Sequence, residues 1–350
     1  NIRRRGLSAE DLILGFAQDL RIYLIKKGLS MAIAVMCSGG DAAGMNPAIK
    51  QFVEYSYDLK LEPYLIYDGL EGLIDNQIKE ATHERVSGII HRGGTVIRSS
   101  RSKRFFDIEF RKQAFENLKA KNIDKLVVLG GDGSFRAMRQ FYHDFGINFV
   151  GIPTTIDNDI FGTDYCLGVD TALNVIRESI DDIRDTAASF RRAFVIETMG
   201  RDCGYLALVS ALTSGAEMVV IPEMTNNFDA LRDRFKAEIK EGRSYIIAIV
   251  AEGANKAHEV SDWFVNEIGM ESRVSTIGHI QRGGSPSVYD RLMAFEFAKL
   301  AIDKLMLKAD DKNVIVYKES KFDFVSIDYI NSQKYQIKPD LLKLAGKILG

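Results

Sequence analysis

Two carboxylates stand two residues apart in Pro153-Thr154-Thr155-Ile156-Asp157-Asn158-Asp159, directly after the apolar run 148–152. Pro153 ends that run, so the acids fall at the carboxyl end of a strand, the rim where open α/β sheets receive ligands. Acids this close repel unless a cation, a substrate proton or basic groups offset them. Their chemistry would be proton removal, because a hydroxyl that attacks phosphorus needs a carboxylate within hydrogen-bond reach. Asp157 would be that base and Asp159 its partner, with Thr155 donating toward phosphoryl oxygens. A plain turn built from Asp and Asn would use the same residues.

Two further strand ends run into glycines. The first reads Cys37-Ser38-Gly39-Gly40-Asp41-Ala42-Ala43-Gly44-Met45-Asn46. Strand, glycine turn and helix start aim free N–H groups and a positive dipole end at an anion. It is not a P-loop, since Met45-Asn46 occupies the place of Lys-Ser/Thr. A tight turn without ligand would need similar glycines. The second reads Gly130-Gly131-Asp132-Gly133-Ser134. Gly131 and Gly133 let backbone approach a polyphosphate, and Asp132 can hold Mg²⁺ on its phosphates. A helix-capping Asp is the alternative there.

Basic groups cluster near the same kinds of position: Arg201 in Met199-Gly200-Arg201, and His279 and Arg282 in His279-Ile280-Gln281-Arg282-Gly283-Gly284, with Arg101, Arg192 and Arg273 in apolar or small surroundings. The guanidinium fork matches phosphate. Each one taken singly reads equally as a surface ion pair.

These side chains need a scaffold that delivers strand ends to one rim. Apolar, β-rich runs at 32–36, 63–67, 126–129, 149–152, 194–197, 218–221 and 245–250 read as buried strands. Helical stretches lie between several of them, such as Phe228, Leu231, Phe235 and Ile239 ahead of Glu241-Gly242. The alternation predicts an α/β chain with a parallel sheet covered on both faces. Its 350 residues suffice for two lobes, expected at 31–170 and 171–300, with part of 301–350 returning to the first. Residues 1–30 read as an added amphipathic helix through Leu12, Ile13, Phe16, Leu20 and Leu24.

Hydrophobic residues make up 46% and charged residues 27%, as in a folded soluble enzyme, and the net charge of −2 offers no basic field for nucleic acid or membrane. The three cysteines form no CxxC pair, which argues against a disulfide framework or zinc site and for a cytoplasmic protein. No apolar run approaches membrane-spanning length.

CSGGDAAGMN at 37–46, YDG at 67–69, RGGT at 92–95, GGDGS at 130–134, PTTIDND, MGRDCG at 199–204 and GHIQRGGSP at 278–286 fall in one order and spacing. In these motifs, over nearly all of its length from Met31, the sequence resembles bacterial ATP-dependent phosphofructokinases. The resemblance implies two Rossmann-like lobes with mainly parallel sheets covered by helices. It implies glycolytic phosphoryl transfer from MgATP to the 1-hydroxyl of fructose 6-phosphate, with Mg²⁺ as cofactor and ATP as co-substrate. It also implies a cytoplasmic homotetramer whose subunits share active sites.

Residue by residue, the resemblance makes Asp157 the catalytic base, assisted by Thr155, Asp159, Arg201 and Arg101, and Asp132 the Mg²⁺ ligand. It puts ATP contacts at Gly40, Arg101, Ser102, Gly131, Asp132, Gly133 and Ser134. Sugar-phosphate contacts fall at Thr155, Ile156, Asp157, Met199, Gly200, Arg201, Glu252, His279, Ile280, Gln281 and Arg282, and Arg192 and Arg273 match arginines lent by a neighbouring subunit. Pyrophosphate-dependent relatives carry a second Asp after GGD and a Lys before TIDND, where this chain has Gly133 and Thr154. ATP is therefore the expected donor, although Thr154 and Ala137 replace glycines of the family pattern. A pyrophosphate-dependent enzyme and a silent, nucleotide-binding regulatory subunit are the alternatives. Allosteric control is expected to be weakened or altered: Lys50, Arg184, Gly215, Glu217 and Arg243 match the family's effector-site pattern, but Glu54 and Glu241 replace basic residues, and Lys50 and His83 replace arginines. Acids facing a phosphate lower its affinity.

Overall fold

The computed structural model describes residues 31–307 and 313–349, so the helix expected within 1–30 lies outside the described residues. The chain forms two compact units. The first holds 31–155, 162–168 and 285–333, and the second holds 156–161, 169–284 and 334–349. The sequence reading placed boundaries at 170 and 300, whereas the chain crosses between units after 155, 161, 168, 284 and 333.

The first unit is built on a seven-stranded sheet ordered β11-β10-β5-β4-β1-β2-β3. Its strands are β1 (Ala32–Cys37), β2 (Glu62–Ile66), β3 (Ile78–Glu80), β4 (Ile123–Gly130), β5 (Asn148–Pro153), β10 (Val314–Lys318) and β11 (Lys321–Val325). Pairing is parallel from β2 through β1, β4 and β5 to β10, and antiparallel only at the edges, β2–β3 and β10–β11. Every residue of β1 is buried, the signature of a strand covered on both faces. Gly151 on β5 leaves room for Phe135, whose Cε1 would lie 2.5 Å from an added Cβ. The chain leaves β1 toward β2 on one side and returns as β4 on the other. That reversal is a topological switch point, and it sits where the first two glycine turns emerge.

The second unit has a four-stranded, wholly parallel sheet ordered β7-β8-β6-β9. Here β6 is Ala193–Thr198, β7 Met218–Val220, β8 Ile246–Ala251 and β9 Ser272–Thr276. The Phe228–Lys240 helix starts on an Asn227 cap, whose side chain accepts from Ala230 N–H. It buries Leu231 and Phe235 against Val195, Ala248 and Phe264, and stops at Gly242, whose φ is +111°. Among the described residues, no helix is long and apolar enough to cross a membrane.

Candidate active site

In the first unit, three turns are stitched side by side at the carboxyl rim of β1, β4 and β5. Ser38 N–H donates to Leu129 O at 2.9 Å, and Thr154 N–H donates to Gly130 O at 2.9 Å. The Ser134 hydroxyl donates to the Ser38 hydroxyl at 2.9 Å, tying the first glycine turn to the second. Segment 98–102 underlies the first turn, because Gly39 N–H donates to Ser100 O and the Ser99 hydroxyl donates to Gly39 O. This places exposed Arg101 next to the Gly39-Gly40 turn, with Ser102 buried behind it, accepting from Phe105 N–H at 3.1 Å.

Two helices begin at these turns, Met45–Asp58 after Gly44 and Asp132–Phe145 after Gly131, and neither has a side-chain cap on its first N–H groups. Uncapped helix starts at a sheet rim are suited to an anion. Asn46 explains the departure from the P-loop. It is fully buried, donates to Arg92 O and Gly93 O, and accepts from Val96 N–H at 2.7 Å, so it brackets the RGGT loop. Added Cβ atoms at Gly131 or Gly133 would meet nothing within 4 Å, so packing does not require these glycines. Asp132 pairs through Oδ2 with Arg136 one turn along the helix, while its Oδ1 is buried without a hydrogen-bond partner. Thr154 is turned back into the fold, its hydroxyl donating to Ile152 O at 3.0 Å. It therefore adds no bulk to the rim.

In the second unit, Asp157 is completely buried and Ile156 beside it is buried too. Arg201 Nε stands 3.2 Å from Asp157 Oδ2, and its Nη1 stands 4.0 Å from Asp159 Oδ2. One guanidinium thus offsets the repulsion between both acids. Asn158 and Arg201 each hold a left-handed backbone, with φ near +51°, which non-glycine residues rarely adopt.

The loop after β6 is held in that shape by carboxylates. Glu252 Oε1 accepts from Gly200 N–H at 3.1 Å and Arg201 N–H at 2.7 Å. Glu223 accepts from Gly204 N–H at 2.9 Å, where the Tyr205–Ser214 helix begins. Gly200 has φ +142°, and an added Cβ would lie 2.4 Å from Cys203 O. Cys203 sits in the same loop, and burial, with Glu223, Asp159 and Asp157 nearby, pushes its thiol up to about 12. It is therefore a neutral packing group here rather than a nucleophile.

Gln281, expected among the sugar contacts, is 1% exposed and committed to backbone. Its Oε1 accepts from Met199 N–H at 3.2 Å and its Nε2 donates to Gly278 O at 2.8 Å. Its neighbours differ: His279 and Ile280 are exposed, and Arg282 is partly so. Arg192 and Arg273 lie elsewhere. They flank Glu271, with Arg192 Nε 2.8 Å from Oε2 and Arg273 Nη2 2.5 Å from Oε1. Arg192 precedes β6 and Arg273 pairs with Phe194, so both belong to the amino end of a sheet whose carboxyl end carries Arg201. Five residue steps along β6 separate the two ends by about 17 Å. Glu223, Ser38 and Ser134's bond to it are the positioning groups that sequence reasoning missed. No local pattern signals them, since their partners lie 19 to 96 positions away.

The effector candidates are engaged within their own units. Lys50 pairs with Glu54, and His83 stacks on Tyr57 at 4.6 Å. In the second unit, Arg184 donates to Ser214 O, beside Gly215 at the helix end. Arg243 is held between Glu217 at 2.8 Å and Glu238 at 2.7 Å.

A mainly parallel sheet with three stitched turns and uncapped helix starts at its switch point makes the first unit an α/β domain with a rim suited to phosphate. Residues 32–305 match the phosphofructokinase family model, and the chain belongs to that family. It is 58% identical over 316 residues to the ATP-dependent 6-phosphofructokinase of Sulfurimonas denitrificans, covering 90% of this chain and 99% of the relative. It is 54% identical over 320 residues to that of Wolinella succinogenes, covering 91% and 100%. Among solved structures, phosphofructokinase from Saccharomyces cerevisiae superposes with a TM-score of 0.83 at 33% identity, over 86% of this chain and 45% of the yeast chain. This chain thus spans less than half of that larger protein. A pyrophosphate-dependent phosphofructokinase from Marinobacter aquaeolei shares the fold, with a TM-score of 0.76 at 19% identity over 91% of this chain and 92% of that one.

Proposed function

We infer that this chain is an ATP-dependent 6-phosphofructokinase, moving the terminal phosphoryl group of ATP to the 1-hydroxyl of fructose 6-phosphate. One observation carries the reading: a fully buried carboxylate, Asp157, faces the Arg201 guanidinium at 3.2 Å in a backbone shape that Glu252 braces. A buried acid beside a cation, in the loop that follows a strand in a family of phosphoryl-transfer enzymes, is suited to take the acceptor's proton as it attacks. Arg201 then has a second use, since its exposed edge can meet phosphoryl charge. Asp159 and Thr155 complete that end of the site. Met199, Gly200, Glu252, His279, Ile280 and Arg282 would line the sugar phosphate, with Ile156 and Gln281 supporting them from behind.

Gly40, Arg101, Ser102 and residues 131–134 would receive the donor. The open space at Gly131 and Gly133 leaves room for a nucleotide's phosphates, and Thr154 lies folded away from the rim. Among the described residues, no three potential ligand side chains cluster to hold a metal by themselves. That suits Mg²⁺, which commonly takes one or two carboxylates and completes its shell with water and phosphate oxygens. Asp132, with its buried and unbonded Oδ1, fits as the protein's share. When bound, the ion would neutralise charge on the transferring phosphates.

A coupled assay with fructose 6-phosphate and either ATP, GTP or pyrophosphate tests the reading. ATP should support turnover at least tenfold above pyrophosphate. Turnover with pyrophosphate alone would replace the donor assignment, and turnover with none would remove the enzymatic one.

Regulation should be weak. Each basic candidate for an effector phosphate already has an acid or carbonyl partner, and Glu54 and Glu241 add repulsion. Titration with ADP and phosphoenolpyruvate is expected to leave fructose 6-phosphate saturation close to hyperbolic. Strongly sigmoidal curves that either ligand reshapes would refute this.

A further inference from the structure

Segment 162–168 contributes no residue to the donor or acceptor sites assigned above, yet it touches two of the three turns. Leu167 N–H donates to Pro153 O at 2.9 Å, and Leu167 pairs as an isolated parallel bridge with Thr154. The Leu167 side chain covers Gly44, where an added Cβ would come within 2.8 Å of its Cγ. Gly168, at φ +102°, lies so close to the first turn that a Cβ would fall 2.6 Å from Ala42 Cβ and 3.0 Å from Ala43 O. Residues 167–168 therefore form a strap across the first glycine turn and the start of the loop leading to Asp157.

A buried side chain fastens the strap. Asp290 is completely buried, and its Oδ1 accepts from Gly168 N–H at 2.6 Å and from the Tyr165 hydroxyl. It stands in the first turn of the Val288–Leu305 helix, where its own N–H donates to the Ser287 cap at 3.1 Å. The Tyr165 ring meets Tyr289 edge-on, 5.0 Å between centroids. Burying a carboxylate is costly unless it is well bonded. A helix start and two donors make this acid a stronger anchor than a neutral side chain.

We propose that Asp290 is a positioning residue for phosphoryl transfer. Through Gly168 and Tyr165 it sets the strap, and through the strap it fixes the Ala42–Gly44 turn and the Pro153-Thr154 root of the Asp157 loop in one arrangement. This rests on the phosphoryl-transfer reading of those two turns. Small displacements of reacting groups cost rate far more than binding. Asp290 touches no reacting atom, so its loss should appear as a particular pattern rather than as abolished function.

The test uses the full chain with Asp290→Ala, Asp290→Asn and Tyr165→Phe. Asp290→Ala is expected to lower kcat by about 10- to 100-fold, to raise the donor KM, and to leave the sugar KM within about twofold, because Arg201 and Glu252 are held separately by the second unit. Asp290→Asn keeps an oxygen that can accept from Gly168 N–H, and should recover most of the lost kcat. Tyr165→Phe removes the hydroxyl's bond to Asp290, and should give the same pattern at roughly five- to tenfold, the cost of one hydrogen bond. It still decides the matter should the alanine variant not fold.

Hydrogen–deuterium exchange supplies a readout independent of activity. Peptides covering 38–45 and 153–168 should exchange faster in Asp290→Ala and Tyr165→Phe, while 199–204 stays at the parental rate. Parental kinetics in Asp290→Ala, uniform acceleration in all peptides, or an asparagine variant no better than alanine would each overturn the proposal. A parent protein without kinase activity would instead remove the functional reading, and the exchange pattern alone would then judge the clamp.

Discussion

Asp157→Ser is expected to lower turnover by about 10²- to 10⁴-fold, the range a lost general base commonly costs, while the KM for fructose 6-phosphate changes little. The geometry separates these two quantities. Asp157 is buried and faces Arg201 at 3.2 Å, but the backbone that presents Arg201 is held by Glu252 and Glu223. Serine removes the proton acceptor and leaves that loop braced, so a group acting mainly in the transition state is lost without its neighbours. Steady-state kinetics and sugar binding by calorimetry check it. Turnover within tenfold of the parent in a folded variant would show that another group takes the proton.

The second large effect concerns two arginines that lie at the opposite end of their sheet from Arg201. Arg192 and Arg273 grip Glu271 at the amino end of β6 and β9, and Arg201 lies at the carboxyl end of the same sheet. A long side chain does not bridge that span of about 17 Å. If these arginines contact sugar phosphate, they do so from a second copy of the chain, as the resemblance suggested. Arg192→Ala should then raise the fructose 6-phosphate KM by roughly 10- to 100-fold, the weight of one charge-assisted phosphate contact, with the ATP KM unmoved. Mixing Arg192→Ala with Asp157→Ser subunits, dissociated and reassociated together, should yield more activity than either parent, because some sites receive Asp157 and Arg192 intact. Activity no higher than the sum of the parents at any mixing ratio would exclude sharing.

Much of this was readable in the sequence where chemistry is local. Strands buried on both faces, such as β1, β4 and β8, announce themselves as continuous apolar runs. The edge strands β3 and β9 do not. β3 is the three residues Ile78–Glu80, and β9 buries only Ser272 fully within Ser272–Thr276. β10 joins the first sheet from far along the chain, and its short apolar stretch fits a helix as readily as a strand. The acids, glycines and arginines were likewise visible as types in a spacing. What held them was not. Glu252 bracing Arg201, Ser134 meeting Ser38 and Asp290 meeting Gly168 span 51, 96 and 122 positions. No motif encodes such a distance. Gln281 shows the reverse case, since its motif suggested a ligand contact and its amide turned out to serve the backbone.

The emptiness around Gly131 and Gly133 has a bearing on how such an enzyme can change. An added Cβ at either position meets nothing within 4 Å, and Gly133 sits in the first turn of a helix, where glycine is a poor choice for stability. The fold gains nothing from keeping a glycine at 133. In the donor site proposed above, a change at 133 would then alter the space offered to the phosphoryl source without first crossing a barrier in folding. Gly151 and Gly200, each blocked by a neighbour at 2.5 Å or less, allow no such freedom.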